Sequence, residues 1–339
     1  MKIGVIDSRP RTRTFKELYM LQNIHECFFF GASDNKQNMQ LLPNVEYHRV
    51  NNHKQVMDIC RKKKIDILHT HNFPDIYGKW GLNIRDKLGI PVVHEIHDMS
   101  YENSSISNKQ LEQYVVPKAD AIITVGQGMH NEILRKYNRN STIIYAMPNK
   151  DLLPKPYPKN DKFVRGIYQG GIRRKEDKKS KFNHRYYDKI FKKLVSQGLR
   201  IDVMPTYSMN NSKKINGVKF RNFEPDMKKL YRRISAYDFE FVGYNQTRSG
   251  VMDIAMPNKL FEAIACGVPV VAMNYDNIGS YVRNNLAGIV VDKNNLKIPP
   301  DFDKQMATCK KHIMQHQNSF VMESQLKKLT KLYKRVIMS

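Results

Sequence analysis

Short apolar runs alternate along this chain with longer stretches in which every third or fourth residue is apolar. In residues 1–150 the runs IGVID (3–7), ECFFFGAS (26–33), IDILHTH (65–71), IPVVHEIHD (90–98), DAIITVG (120–126) and STIIYAMPN (141–149) read as strands. FKELYMLQNI, KQVMDICRKKK, GKWGLNIRDKLG and MHNEILRKYN carry helical spacing, and KQLEQYVVPKA leads into the strand at 120. Strands separated by helices of about ten residues predict right-handed βαβ units and a parallel sheet. DLLPKPYPKNDKF (151–163) is polar, rich in proline and without periodicity, so it predicts a linker. The alternation then restarts with VRGIYQGG (164–171) and runs through RIDVMPTY, GVKFRNFE, FEFVGYN (239–245) and PNKLFEAIACGVPVV (257–271). MESQLKKLTKLYKRVI (322–337) is amphipathic, with Leu326, Leu329, Leu332, Tyr333 and Val336 on one face. The fold class is α/β, with two doubly wound Rossmann-like domains facing a cleft.

Composition narrows the classes. At 339 residues and 41% hydrophobic content there is room for two domains with cores. No run approaches the ~18 apolar residues of a membrane span. The N-terminus opens as a strand and turn rather than as a signal peptide. Cys27, Cys60, Cys266 and Cys309 lie far apart without metal-type spacing, which predicts thiols in a reducing, cytoplasmic setting. No repeat of 20–50 residues appears, which excludes a solenoid or propeller. The formal net charge is +25. Residues 1–150 hold 21 Lys+Arg against 15 Asp+Glu, leaving 36 against 17 in the remainder. That skew predicts a polyanionic partner or an anionic surface, unless it reflects a lysine-rich composition with solvated faces.

PNKLFEAIACGVPVV joins a helix over 259–265 to a turn and a strand. Gly267 suits a left-handed helix end and Pro269 stops the helix. Pro257 and Asn258 stand at the helix N-terminus, where free N–H groups favour a phosphate, and Glu262 can hold hydroxyls. Together these suit a nucleotide sugar, although any buried αβ unit could carry the same pattern. Gly170 and Gly171 end a strand ahead of RRKEDKKSK, a turn that lets backbone approach a diphosphate beside cations. His94, Glu95, His97 and Asp98 crowd another strand end, where open α/β sheets bind ligands. His94 and His97 are three apart and predicted to face opposite ways, so no metal is expected there. His69 and His71 end the strand at 65–71; His71 could line the cleft while His69 packs. Asp301–Phe302–Asp303 reads as a loop. There is no Walker-type loop, G-x-S-x-G elbow or dinucleotide fingerprint.

The run 257–271 resembles the donor-site signature of family-4 glycosyltransferases with the GT-B fold, in its P-N-K-L-F-E version. LHTHNFP, PVVHEIHDMSYE, ADAIITVGQGM, YAMPN and YQGGI extend the resemblance over nearly the whole chain. It implies an acceptor-side domain over 1–155, a donor domain over 156–312, and a C-terminal helix over 313–339 crossing back to the first domain. Glu262 would hold the ribose, with Pro257, Asn258, Lys259, Gly170 and Gly171 around the donor. Many members carry a second acidic residue eight positions earlier; here Ile254 stands there, with Asp253 one residue out of register. His97 matches a histidine at the reaction centre. Gly171 occupies a slot that is often Arg, which leaves the diphosphate to Arg173 or Arg174 with Lys178 or Lys179, of which Arg173 and Lys178 are chosen. The loop DSRPRTRTF lacks the glycines many relatives use, so Arg9, Arg11 and Arg13, with His71, are read as acceptor-binding.

The implied reaction needs no cofactor or metal: a nucleotide-diphosphate sugar is the co-substrate, and the anomeric configuration is retained. The implied acceptor is anionic or membrane-associated, either a lipid-linked glycan at the inner face of the membrane or a polyanionic polymer. Modified bases of DNA, as in phage enzymes of the same fold, are the alternative acceptor. A reading from another class is a non-catalytic GT-B scaffold or nucleic-acid-binding protein.

Overall fold

The protein is described by a computed structural model covering residues 1–33, 39–72, 75–99, 106–155, 162–173, 183–206, 215–245 and 251–339, the side chains of 106–108, 183 and 251 excepted. The chain forms two units: Met1–Asn149 with Met322–Ser339, and Lys150–Val321.

In the first unit seven strands make one parallel sheet: β1 (Lys2–Ile6), β2 (Glu26–Gly31), β3 (Val45–Arg49), β4 (Ile67–His71), β5 (Val92–Ile96), β6 (Ala121–Thr124) and β7 (Thr142–Ile143). Their order is β3-β2-β1-β4-β5-β6-β7. Between them run α1 (Thr12–Leu21), α2 (His53–Lys63), α3 (Ile76–Leu88), α4 (Ile106–Lys118) and α5 (Gln127–Tyr137). Asn52 starts α2 by accepting from the N–H groups of Lys54 and Gln55, satisfying two of the free donors at the helix start. Phe28, Phe30, Val56, Leu68, Ile84 and Val92 build much of the core. β4 and β5 are buried along their whole length although their sequences, ILHTH and VVHEI, are half polar. A central strand that buries His69, Thr70, His71, His94 and Glu95 must give those groups partners, because unpaired polar groups there are costly.

Among the described residues, the second unit has six parallel strands: β8 (Arg165–Gly170), β9 (Arg200–Pro205), β10 (Val218–Phe220), β11 (Phe239–Val242), β12 (Val270–Met273) and β13 (Gly288–Val291), in the order β10-β9-β8-β11-β12-β13. Its helices are α6 (Asp188–Val195), α7 (Met227–Ser235), α8 (Val251–Ile254), α9 (Asn258–Ala265), α10 (Asp276–Asn284) and α11 (Phe302–Gln315). The expected loop at Asp301–Phe302–Asp303 is instead the start of α11. Phe302, Met306, Cys309 and Ile313 recur at spacings of four, three and four and are buried, while Asp303 accepts from the Phe163 N–H at 2.9 Å. The last helix, α12 (Leu326–Met338), belongs to the first unit, where it packs against β5 and buries Leu329, Leu332, Tyr333 and Val336.

The unit boundaries fall at 149/150 and 321/322, against the sequence reading of 155/156 and 312/313. The return is fixed by hydrogen bonds: the Met322 N–H donates to the Pro148 carbonyl at 2.8 Å, and the Gln325 amide brackets both polar groups of the Tyr145 backbone. In both sheets the strand order reverses once, between β1 and β4 and between β8 and β11. Ligands of open α/β sheets bind beyond the carboxyl ends of the strands at such points.

Candidate functional site

In the second unit, β8 ends at its reversal point in Gln169 and Gly170, and Gly171 follows. Gly170 has φ +133°, a conformation that costs a side-chain-bearing residue. A Cβ there would also come within 3.1 Å of Lys259 Nζ. Lys259 follows directly from the start of α9, whose N-cap position is Pro257, a residue with no side chain that could bond the N–H groups of the first turn. Gly267, at φ +74°, ends that helix with its N–H donating to the Ile264 carbonyl at 2.9 Å.

Part of the Lys259 side chain is accessible, but its ammonium lies 3.6 Å above the Tyr168 ring. Burial of that ammonium pulls its pKa down to about 7, against the attraction of Glu240. Glu240, on β11, is itself driven well above the usual carboxylate range by burial, with Lys259 opposing. Glu262, one turn into α9 and almost fully buried, accepts from Gln169 Nε2 at 2.9 Å. The phosphate-compatible turn, the helix start, one cation of adjustable charge and one anchored carboxylate thus share a single region.

Of the sequence-predicted donor residues, the structure brings Gly170, Gly171, Pro257, Asn258, Lys259 and Glu262 to this region. Arg173 continues from the glycine turn, its N–H donating to the Arg185 carbonyl at 2.8 Å. Lys178 lies outside the described residues. Asp253 does not replace the acidic residue absent at Ile254: it pairs with Lys293 at 3.5 Å, while the Ile254 carbonyl accepts from Asn277. Gln169 and Glu240 were missed by sequence reasoning. The signal was a polar residue inside each of two otherwise apolar strands, YQGG and FEFV.

In the first unit the carboxyl ends of β1, β4 and β5 gather Asp7, His71 and His97. His97 is the partly exposed member. Its Nε2 lies 2.9 Å from Glu95 Oε1 and 3.1 Å from His71 Nδ1, and its N–H donates to Asn72 Oδ1 at 2.7 Å. Behind it the network runs inward. Arg13 Nε reaches Glu95 Oε1 at 2.5 Å and Glu17 Oε1 at 2.9 Å, and His69 Nδ1 lies 2.7 Å from the Tyr333 hydroxyl. Burial, reinforced by Glu95, raises the Glu17 carboxyl well above its usual range. Burial also opposes ionisation of Glu95, but Arg13 and the surrounding histidines outweigh it and hold that carboxyl low. His71 is pushed well down by burial and then by His69.

Two expectations are corrected here. Arg13 is not an acceptor-side cation, because it is buried and pairs with two buried carboxylates. His71 is fully buried and has no accessible surface for direct contact with an acceptor. Arg9 is exposed, and Arg11 sits 3.5 Å from Asp7 while donating to Ser8 Oγ. His94 faces away from His97, between Thr70 at 2.8 Å and Asp75 at 3.2 Å. Glu17 and Tyr333 were missed, since each lies far in sequence from the strands it meets.

Comparison with known proteins agrees with this architecture. Residues 35–149 match the model for Glycosyltransferase Family 4, and residues 187–309 the model for Glycosyl transferases group 1. An uncharacterized glycosyltransferase of Methanocaldococcus jannaschii is 24% identical over 255 residues, 73% of this chain; the match spans 66% of that relative's length. Sucrose-phosphate synthase from Thermosynechococcus elongatus superposes with a TM-score of 0.74 at 13% identity, covering 100% of this chain and 99% of that one. Anabaena HepE in complex with UDP-glucose gives 0.72 at 14% identity, covering 98% and 99%.

Proposed function

We propose, from the premise that the chain is a GT-B glycosyltransferase of the family-4-like kind, that it transfers a sugar from a nucleotide-diphosphate donor bound in its second unit. The observation that carries this reading is the convergence of Lys259 and Glu262 on the Gly170–Gly171 turn at the strand-order reversal. The turn and the N–H groups at the start of α9 receive the diphosphate, and Lys259 and Arg173 neutralise the charge that grows on it as the glycosidic bond breaks. Glu262, held by Gln169, accepts from the ribose hydroxyls. HepE binds UDP-glucose and UDP, which makes uridine diphosphate sugars the first donors to test.

On the first unit, His97 orients the acceptor or the sugar, backed by Glu95. Metal independence and retention of configuration belong to the same proposal: cations of the chain, rather than a metal, would serve the diphosphate. The acceptor is anionic or presented at an anionic surface, as the net charge of +25 favours. The outer face of α12 supports the membrane version, with Lys327, Lys328, Lys331, Lys334 and Arg335 exposed beside Ile337 and Met338.

A thermal-shift screen against a panel of nucleotide sugars tests the donor assignment. At least one should raise the melting temperature; a panel without any effect would sink it.

A further inference from the structure

We propose that the first unit binds one divalent transition-metal ion, zinc by preference, between Glu17, His69, His71 and Glu95. This inference is independent of the donor reading and assigns the ion no step in sugar transfer. The four residues come from α1, β4 and β5 and are buried, and one ligand atom from each lies within 4.8 Å of the others. Two of the separations already have the spacing of a coordination shell: His69 Nε2 to Glu95 Oε2 is 3.2 Å and His71 Nε2 to Glu17 Oε2 is 3.4 Å. Bonds of about 2.0–2.1 Å in tetrahedral geometry would hold ligand atoms roughly 3.4 Å apart.

These four atoms stand in ion-pair range of one another but make no hydrogen bond of good geometry among the described residues, as is also true of the adjoining Glu17 Oε1 and the two terminal nitrogens of Arg13. Buried polar atoms are rarely left so, and four that face one another ask for a shared occupant. The remaining atoms of the same side chains are engaged outward, as outer-shell partners of metal ligands are. His69 Nδ1 meets the Tyr333 hydroxyl, His71 Nδ1 meets His97, and the Oε1 atoms of both carboxylates meet Arg13. Arg13 offsets only one of the two carboxylate charges. A proton shared by Glu17 and Glu95 would offset the other and leave each imidazole Nε2 facing one carboxylate oxygen, at 3.2 and 3.4 Å, whereas a metal would bond all four atoms at once. Two imidazoles and two carboxylates suit zinc and its divalent neighbours rather than magnesium or calcium. The ion would lock α1 to the central strands.

The test uses the full chain without an affinity tag, expressed with zinc in the medium. Elemental analysis should find about one zinc per chain that survives dialysis of the folded protein against EDTA and is released on unfolding with chelator. Refolding with cobalt(II) should give the visible absorption of a tetrahedral site without sulfur charge-transfer bands. Glu17→Gln and His69→Gln should each lower metal retention at least about tenfold. A chain that purifies without stoichiometric metal, and whose unfolding midpoint moves with neither zinc nor EDTA, would overturn the site. Full metal content in both variants would place the ion elsewhere. Should the variants fail to fold, an octahedral or thiolate cobalt spectrum in the unaltered chain overturns the site.

Discussion

Raising the pH from about 6 to about 8 should weaken nucleotide-sugar binding roughly tenfold, and Lys259 should account for the loss. Free Lys259 titrates near 7 because its ammonium is enclosed between the Tyr168 ring and the glycine turn, with Glu240 only partly compensating. A diphosphate at Gly170 would sit beside that ammonium and favour its charged form. Binding then takes up a proton whenever the free site is neutral, and affinity falls with the protonated fraction. Relative to full protonation the loss is negligible at pH 6 and about elevenfold at pH 8, or about 1.4 kcal/mol. A sugar diphosphate has no phosphate ionisation of its own in this window, so the donor does not contribute to the slope.

Calorimetry in two buffers of different ionisation enthalpy reads the linkage directly, as uptake of about 0.9 proton at pH 8. In Lys259→Met the uptake should vanish and the pH dependence should flatten. A pH-independent dissociation constant in the unaltered protein, or an unchanged slope in Lys259→Met, refutes the placement of Lys259 beside the diphosphate. The same shift has a stability signature. An unfolded lysine keeps its proton to about pH 10.4, so the unfolded chain holds more protons above 7, and this group makes stability rise as pH climbs from about 7 to 10.

Other substitutions separate the roles. Gly170→Ala must adopt an unfavourable φ and meets Lys259, so it should lose roughly 1–3 kcal/mol of stability in chemical denaturation together with donor affinity. Arg13→Met would leave Glu17 and Glu95 facing each other without their cation and should cost about 3–5 kcal/mol of stability, whereas Arg9→Ala should leave the melting temperature unchanged and raise only the acceptor KM. Co-sedimentation with anionic liposomes against a DNA mobility shift distinguishes the acceptor classes. Membrane presentation predicts retention on liposomes that Lys327→Glu/Lys331→Glu abolishes, and a DNA acceptor predicts a logarithmic salt slope of about −0.9 per neutralised phosphate.

The alternation of apolar runs made both parallel sheets legible, because period and length together separate buried strands from amphipathic helices. The cluster around Gly170 was legible in part, because PNKLFE places helix start, lysine and carboxylate within six consecutive residues. What escaped was long-range. Glu262 meets Gln169 across 93 positions, Arg13 meets Glu95 across 82, and His69 meets Tyr333 across 264. Periodicity carries no signal for such pairs. Arg13 shows the cost. In sequence it is one of three spaced arginines in a polar loop, but the chain enters α1 at Thr12 and turns that third arginine inward. Asp301–Phe302–Asp303 was read as a loop, although the apolar spacing of Phe302, Met306, Cys309 and Ile313 that begins there is helical.

The central claim is that the donor is held by the second unit through Glu262, and one titration tests it most directly. The nucleotide sugar that stabilises the protein most is titrated into the unaltered chain and into Glu262→Ala, with circular dichroism to confirm that both are folded. Losing charge-assisted hydrogen bonds to the ribose should cost about 2 kcal/mol, some thirtyfold in Kd. An unchanged Kd in a folded Glu262→Ala protein would contradict the account.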